Sequence, residues 1–319
     1  MAPIRLMRKE DADAVRQVDS IAFGAWVRQV SGESDPTYKR TRPNVLACWE
    51  RDPEGCFVVK EESQVVGFIF SRTWGGVGWF GTFAVLPEYQ GQGIGQRLIA
   101  ASLGYLRQKP GRLIGLETMP ESAYNLGLYL KLGFRVTFPS LSLVKALDRA
   151  AVGGAGLPRW SAAGTALRER WLNDLREAAG QILPGLDYAK EVLWTAEHGG
   201  GETLVLLDGE RAIGLSVVRL ASDWEGLGQE RASVQVLALQ PEHTNEGTFA
   251  ALLDASESLA SADGKNTLAV AVNTRHAWAV EQLLGRGYRV ARVMVRMVLK
   301  GTGEEAPGAG CVDLSRWAG

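Results

Sequence analysis

The residues with the clearest chemical use lie between a strand-like run and a helix, from Ala84 to Leu98. A β-type run meets Pro87, a polar, glycine-rich turn follows, and an amphipathic helix begins. Gly91, Gly93 and Gly95 alternate with Gln92 and Ile94 and leave the backbone bare where the helix starts, so several unpaired N–H groups can point at one anion. A diphosphate suits such a cradle. A helix end contributes only ~0.3–1 kcal/mol per nearby charge, up to ~2 when partly buried, so amide hydrogen bonds and the rest of the ligand must supply most of the affinity.

What the stretch lacks narrows the ligand. A P-loop needs Gly-x4-Gly-Lys-Ser/Thr, whereas Gln96 and Arg97 follow Gly95, which disfavours a nucleotide triphosphate. The dinucleotide fingerprint Gly-x-Gly-x-x-Gly is closer, because Gly91 and Gly93 fit and Glu117 stands where a ribose-binding acid could. Its third glycine falls at Gln96, and Pro87-Glu88-Tyr89 lengthen a connection that should be tight. A dinucleotide oxidoreductase remains a rival reading.

Gln-x-x-Gly-x-Gly over Gln90 to Gly95, with its flank from Leu86 to Tyr89, resembles the acyl-CoA-binding motif of the GCN5-related N-acetyltransferase (GNAT) family. Leu128-Tyr129-Leu130-Lys131-Leu132-Gly133-Phe134 is similar to that family's closing helix, and the resemblance covers most of the first half of the chain. It implies acetyl-CoA as the acyl carrier. The turn residues Gln90, Gly91, Gln92, Gly93, Ile94, Gly95, Gln96 and Arg97 would hold the coenzyme A diphosphate, and the backbone of Phe83, Ala84 and Val85 would pair with the pantetheine arm like an added strand. Val85 N–H is the candidate oxyanion donor. Ser122 stands where the family often has an asparagine touching the arm, and Asn125 lies one helical turn on. Arg97, Lys109 and Arg112 are candidates for the carrier's 3′-phosphate.

Acetyl transfer to an amine also needs a base, since an alkyl ammonium of pKa ~10.4 is protonated at pH 7. Glu117 is the candidate, with a dry cleft expected to raise its basicity. Tyr129 is the candidate acid for the leaving thiolate; the twelve-residue spacing between the two is similar to that of ribosomal-protein N-terminal acetyltransferases in this family. Phe23, Trp26, Tyr38 and Trp49 are aromatic candidates for an acceptor pocket, or for packing helices on the sheet. An acyl-CoA-binding regulatory module without turnover is the alternative from a different class.

The chain is long enough to supply two domains' worth of scaffold. The 319 residues, 46% of them apolar, suit two domains of ordinary size. A formal net charge of −1 offers neither a nucleic-acid field nor a membrane face. Three cysteines, Cys48, Cys56 and Cys311, imply neither a disulfide framework nor zinc, and the scattered His198, His243 and His276 imply no metal. The N-terminal residues lack an apolar leader and no run approaches membrane-spanning length, so a cytoplasmic protein, monomeric or a homodimer, is expected.

The fold class expected is α+β (α/β): two GNAT-like domains, each a mixed, mostly antiparallel sheet flanked by helices. In the first, residues 1–147, a strand near Ile4 and a helix capped by Asp11 or Asp13 precede a meander over 55–60, 64–72 and 77–86. A helix from Gly93, a strand over 113–118, a helix over 122–132 and a closing strand or hairpin at 134–144 follow. Residues 148–164 read as a linker. Residues 165–300 repeat the order: a helix at 165–179, strands at 203–207, 213–220 and 233–239, a helix at 247–259, a strand at 268–272, a helix at 278–284 and a strand at 289–299. The tail, 301–319, reads as loose.

The copies differ where chemistry would sit. Laying Pro241 on Pro87 puts Thr244 at Gln90, Asn245 at Gly91, Gly247 at Gly93 and Phe249 at Gly95, while Gly287-Tyr288 on Gly133-Phe134 puts Leu283 at Tyr129. Phe249 is expected to crowd the diphosphate, with a strained backbone if forced to positive φ. The second copy therefore reads as degenerate. A tandem with one working copy is similar to the family's mycothiol synthases, but their working half is the second, so that substrate is not carried over. The acceptor expected is a primary amine of a small molecule or peptide.

Overall fold

The structure, a computed structural model, describes residues 3–31, 39–108, 113–148, 156–223, 225, 228–302 and 311–317; the side chains of residues 26–31 are outside the description. The first repeat runs β1 (Ile4–Leu6), α1 (Ala12–Ser31), α2 (Arg42–Arg51), β2 (Phe57–Glu61), β3 (Gln64–Trp74), β4 (Val77–Val85), α3 (Ile94–Gln108), β5 (Leu113–Thr118), α4 (Ala123–Lys131), β6 (Phe134–Val136) and β7 (Ser140–Ala146). The second runs α5 (Thr165–Ile182), α6 (Ala189–His198), β8 (Gly201–Asp208), β9 (Arg211–Arg219), β10 (Arg231–Leu239), α7 (Glu246–Ala262), β11 (Thr267–Asn273), α8 (Ala277–Gly285), β12 (Arg289–Leu299) and β13 (Val312–Ser315). Among the described residues no helix is long and apolar enough to cross a membrane.

Helices on both faces explain why β3 is buried at every residue after Gln64, as its near-continuous apolar run requires. The α3 stripe of Ile94, Leu98, Ile99, Leu103 and Leu106 is buried on one face. Each such side chain contributes about 1.5–3 kcal/mol on burial. Both repeats also hide a serine pair between strand and helix, Ser71 with Ser102 at 2.7 Å and Ser216 with Ser256 at 2.8 Å.

The two repeats share one sheet. Its order is β1-β2-β3-β4-β5-β12-β7-β11-β10-β9-β8, with β13 on β10 and β6 on β12. The closing strands are exchanged: β7 lies along β11 from Thr267↔Ala146 to Asn273↔Ser140, while the end of β12 lies along β5 from Val295↔Thr118 to Val298↔Gly115. The two strands also pair with each other, Arg289↔Val144 to Met294↔Ser140. Buried polar contacts join the two repeats elsewhere. Arg51 and Glu191 form an enclosed ion pair at 3.1 Å, Trp74 Nε1 donates to Glu191 Oε1 at 3.1 Å, and Asn44 Nδ2 donates to Asp223 Oδ1 at 2.7 Å.

Several expectations are corrected. The tail is not loose throughout: Val312–Ser315 pairs antiparallel with β10 and is fully buried, because alternate apolar residues complete the second core and Trp317 stacks on Trp74 and meets Trp79 edge-on. The end of the expected linker is docked, with Trp160 buried and Pro158 O accepting from Val205 N–H at 2.9 Å. Asp11 accepts the Arg8 N–H at 2.8 Å and pairs with Arg5, so it caps the short 3-10 turn before α1. Helix α6, absent from the sequence reading, packs on β8 and β9 and carries the buried Glu191.

Gly115 lets the shared sheet close. A Cβ there would lie 2.3 Å from the Trp79 ring and 2.9 Å from Met297 O on the exchanged strand. Gly115→Ala is therefore expected to cost about 1–3 kcal/mol through overpacking. Scanning calorimetry should show one lowered transition, with both repeats lost together, since the strained contact joins them.

Candidate functional site

The cleft opens where β4 and β5 part. They pair in parallel only from Val77↔Leu113 to Trp79↔Gly115. A bulge follows, with Ser71 opposite Phe80 and Ile69 opposite Phe83, so β4 swings away from β5. Beyond it, Leu86 N–H bonds Val66 O at 2.9 Å on β3. Alternation along the strand turns the N–H groups of Val85 and Phe83 toward the gap. The Val85 carbonyl, facing the same way, accepts Gln90 Nε2 at 2.9 Å, so the first residue of the glycine motif ties the turn to its strand.

Gly91 and Gly93 have φ of +75° and +78°, which L side chains rarely adopt, and a Cβ on either would meet nothing within 4 Å. These two glycines therefore serve backbone shape and leave the approach open. The first bond of α3 runs from Arg97 N–H to Gly93 O at 3.2 Å. Among the described residues no side chain accepts from Ile94, Gly95 or Gln96 N–H, so the helix start presents bare donors.

A cleft of about 830 Å³ runs over this cradle. It brings together Phe23, Phe83, Ala84, Val85, Gln90, Gly91, Gly93, Ile94, Gly95, Gln96, Ser122 and Asn125 from the sequence reading. Gln92 turns its amide to Glu88 O at 3.2 Å, and neither it nor Arg97 lines the cleft. Trp49 is part-buried on the first core and donates to Met7 O at 3.1 Å, which makes it a packing residue. The side chain of Trp26, all of Tyr38, Lys109 and Arg112 lie outside the described residues. Met119, Glu121 and Tyr124 line the cleft without having been singled out. Their position between the end of β5 and the first turn of α4 is the only signal that could have found them.

Neither catalytic candidate lines the cleft. Tyr129 packs edge-on against Phe80 and Phe134, with ring centroids 6.0 and 6.2 Å away, while its neighbour Leu128 faces the cleft. Burial raises the Tyr129 phenol, so it stays protonated at neutral pH. Its hydroxyl makes no hydrogen bond among the described residues. Glu117 does not stand alone in a dry cleft as expected. Oε1 meets Arg296 Nε at 3.0 Å and accepts Ser140 Oγ–H at 2.6 Å, because β12 places Arg296 directly opposite.

In the second repeat the equivalent helix start is closed. Asn245, at the position of Gly91, accepts Thr248 N–H at 3.1 Å and forms a capping box. Phe249 is not strained: Glu62 is the one non-glycine with positive φ among the described residues, and Phe249 sits in the core against Trp278, ring centroids 5.3 Å apart. The equivalent of Tyr129 is the fully buried Leu283. Among the described residues no group of acids, histidines and cysteines is arranged to hold a metal.

Residues 17–134 match the acetyltransferase (GNAT) family profile. Over 134 residues, 39% of this chain and 43% of the relative, the sequence is 32% identical to a mycothiol acetyltransferase of Amycolatopsis mediterranei (strain U-32), so the match spans less than half of that relative. It is 25% identical over 143 residues, 42% of this chain and 81% of the relative, to a Bacillus subtilis (strain 168) protein provisionally named a ribosomal protein bS18-alanine N-acetyltransferase. In fold it is similar to a tandem GNAT protein from the clavulanic acid biosynthesis pathway, with a TM-score of 0.58 at 13% identity, covering 96% of this chain and 100% of the other.

The two glycine settings on and beside α3 predict opposite effects. Gly93→Ala should destabilise by about 1–2 kcal/mol through its positive φ. Gly104→Ala, in an open, exposed helical position, should gain up to ~1 kcal/mol. Urea unfolding of both variants beside wild type measures the pair.

Proposed function

We propose, from the match of residues 17–134 to the acetyltransferase (GNAT) family profile, that this chain is an N-acetyltransferase working through its first repeat. It moves an acetyl group from acetyl-CoA to a primary amine of a small molecule or peptide. The observation that carries the reading is the contrast at the two helix starts: bare donors above a splayed strand in one repeat, a self-capped helix in the other.

In this mechanism the N–H groups at Ile94, Gly95 and Gln96 take the diphosphate, while Gln90 keeps the turn in register with β4. The pantetheine arm pairs along Phe83 to Val85, and Val85 N–H, turned into the gap, donates to the carbonyl oxygen as it gains charge. Glu117 receives a proton from the acceptor ammonium through an intervening water. The neutral amine then attacks, the N–C bond forms and the C–S bond breaks; the departing thiolate takes a proton from Tyr129, and the new amide nitrogen gives up its extra proton to the Tyr129 phenolate, which restores the phenol. Ser122 and Asn125 flank the arm from the start of α4.

The enclosed Tyr129 and the paired Glu117 favour one second reading, an acyl-CoA-binding module without turnover. A thiol-release assay against amines that include a peptide with N-terminal alanine separates the two. The enzyme reading expects release with at least one amine, and Tyr129→Phe should lower kcat about 10²-fold while calorimetry finds acetyl-CoA affinity within twofold of wild type. Binding of acetyl-CoA by wild type with no thiol released by any amine would sink it.

A further inference from the structure

We infer that Arg296, carried into the first repeat by the exchanged strand β12, is a positioning residue for Glu117, with Ser140 and Asn273 completing the brace. This rests on the acetyltransfer reading and deepens it: the second repeat supplies part of the working site although its own cleft is closed.

The geometry is directional. Arg296 and Ser140 both reach Oε1 of Glu117, leaving Oε2 without a hydrogen-bond donor among the described residues. Ser140 is held in turn by Asn273, whose Nδ2 donates to Ser140 Oγ at 3.1 Å and to Phe138 O at 2.7 Å. The guanidinium lies 4.6 Å from the Trp317 ring centroid and 5.1 Å from that of Trp79, one ring from each repeat. One carboxylate oxygen is anchored and the other is left to exchange a proton with the acceptor.

The pair is not required by the strand exchange. At the equivalent register in the second repeat, Ala271 stands opposite Ser142, and those strands pair along seven residues without an ion pair. The buried Arg296–Glu117 pair, at side-chain exposures of 4% and 7%, is thus additional to what the ladder needs. Isolated buried pairs add little net stability, which makes a positioning role the better account. Among the described residues His276, just before α8, is coupled to Arg296, and also to Arg275 and to Asp313 on β13; burial pushes His276 down to about 4, so it is neutral near pH 7.

The test is a pH–rate profile on the full chain with acetyl-CoA and the best amine from the screen. Arg296→Met should lower kcat about tenfold or more, leave acetyl-CoA affinity within twofold, and move upward the acidic limb that Glu117→Gln abolishes. Arg296→Lys should restore the limb and most of the rate. In the Glu117→Gln background, Arg296→Met should cost nothing further. Ser140→Ala, which leaves the backbone pairing intact, should shift the limb in the same direction and carries the test if Arg296→Met does not fold. An unmoved limb, or losses that simply add in the double variant, would overturn the role while leaving the acetyltransferase reading standing. A wild type that binds acetyl-CoA but releases no thiol overturns both.

Discussion

One backbone ladder determines the rest of this molecule: β12 fills the gap between β5 and β7, and β7 fills the matching gap beside β11. Neither repeat closes its own sheet. The first repeat donates β7 and the second β12, so the edge that would be left with unpaired amides is satisfied across the repeats. A chain that closed each half separately would need no such exchange.

The asymmetry of the two halves follows from where backbone donors are spent. Around Gly93 the turn gives the helix start no side-chain acceptor, and the parting of β4 from β5 leaves further N–H groups facing the gap. Around Asn245 the same turn is answered by a side-chain oxygen, and the large ring of Phe249 enters the core. Identical topology therefore yields an open helix start in one place and a self-capped helix end in the other, with a few side chains deciding the difference.

Much of this was legible in the residues. The glycine turn, the strand before it and the helix after it are local features, and strands β2 to β5 and β8 to β11 follow period-two or buried apolar runs that need no partner to be recognised. Strand partners are another matter. Nothing in the 134–144 run says that its second strand leaves for the other repeat, because alternation fixes which face is buried and not which neighbour is paired. The setting of Glu117 was hidden for the same reason, since Arg296 lies 179 residues away. The buried β13 was obscured by the glycine- and glutamate-rich stretch before it. Tyr129 was read correctly onto α4, but its packing against Phe80 depends on the β4 bulge, which the sequence does not reveal.

Holding both copies in one polypeptide has a consequence for how the site can vary. Were the same sheet assembled from two identical subunits, every substitution would occur twice, and an arginine suited to one carboxylate would face another across the twofold axis. Here Arg296 meets Glu117 while the corresponding Ser142 meets Ala271. Fusion lets half of a symmetric architecture serve as template for the other half, so the two can diverge in chemistry without losing their common frame.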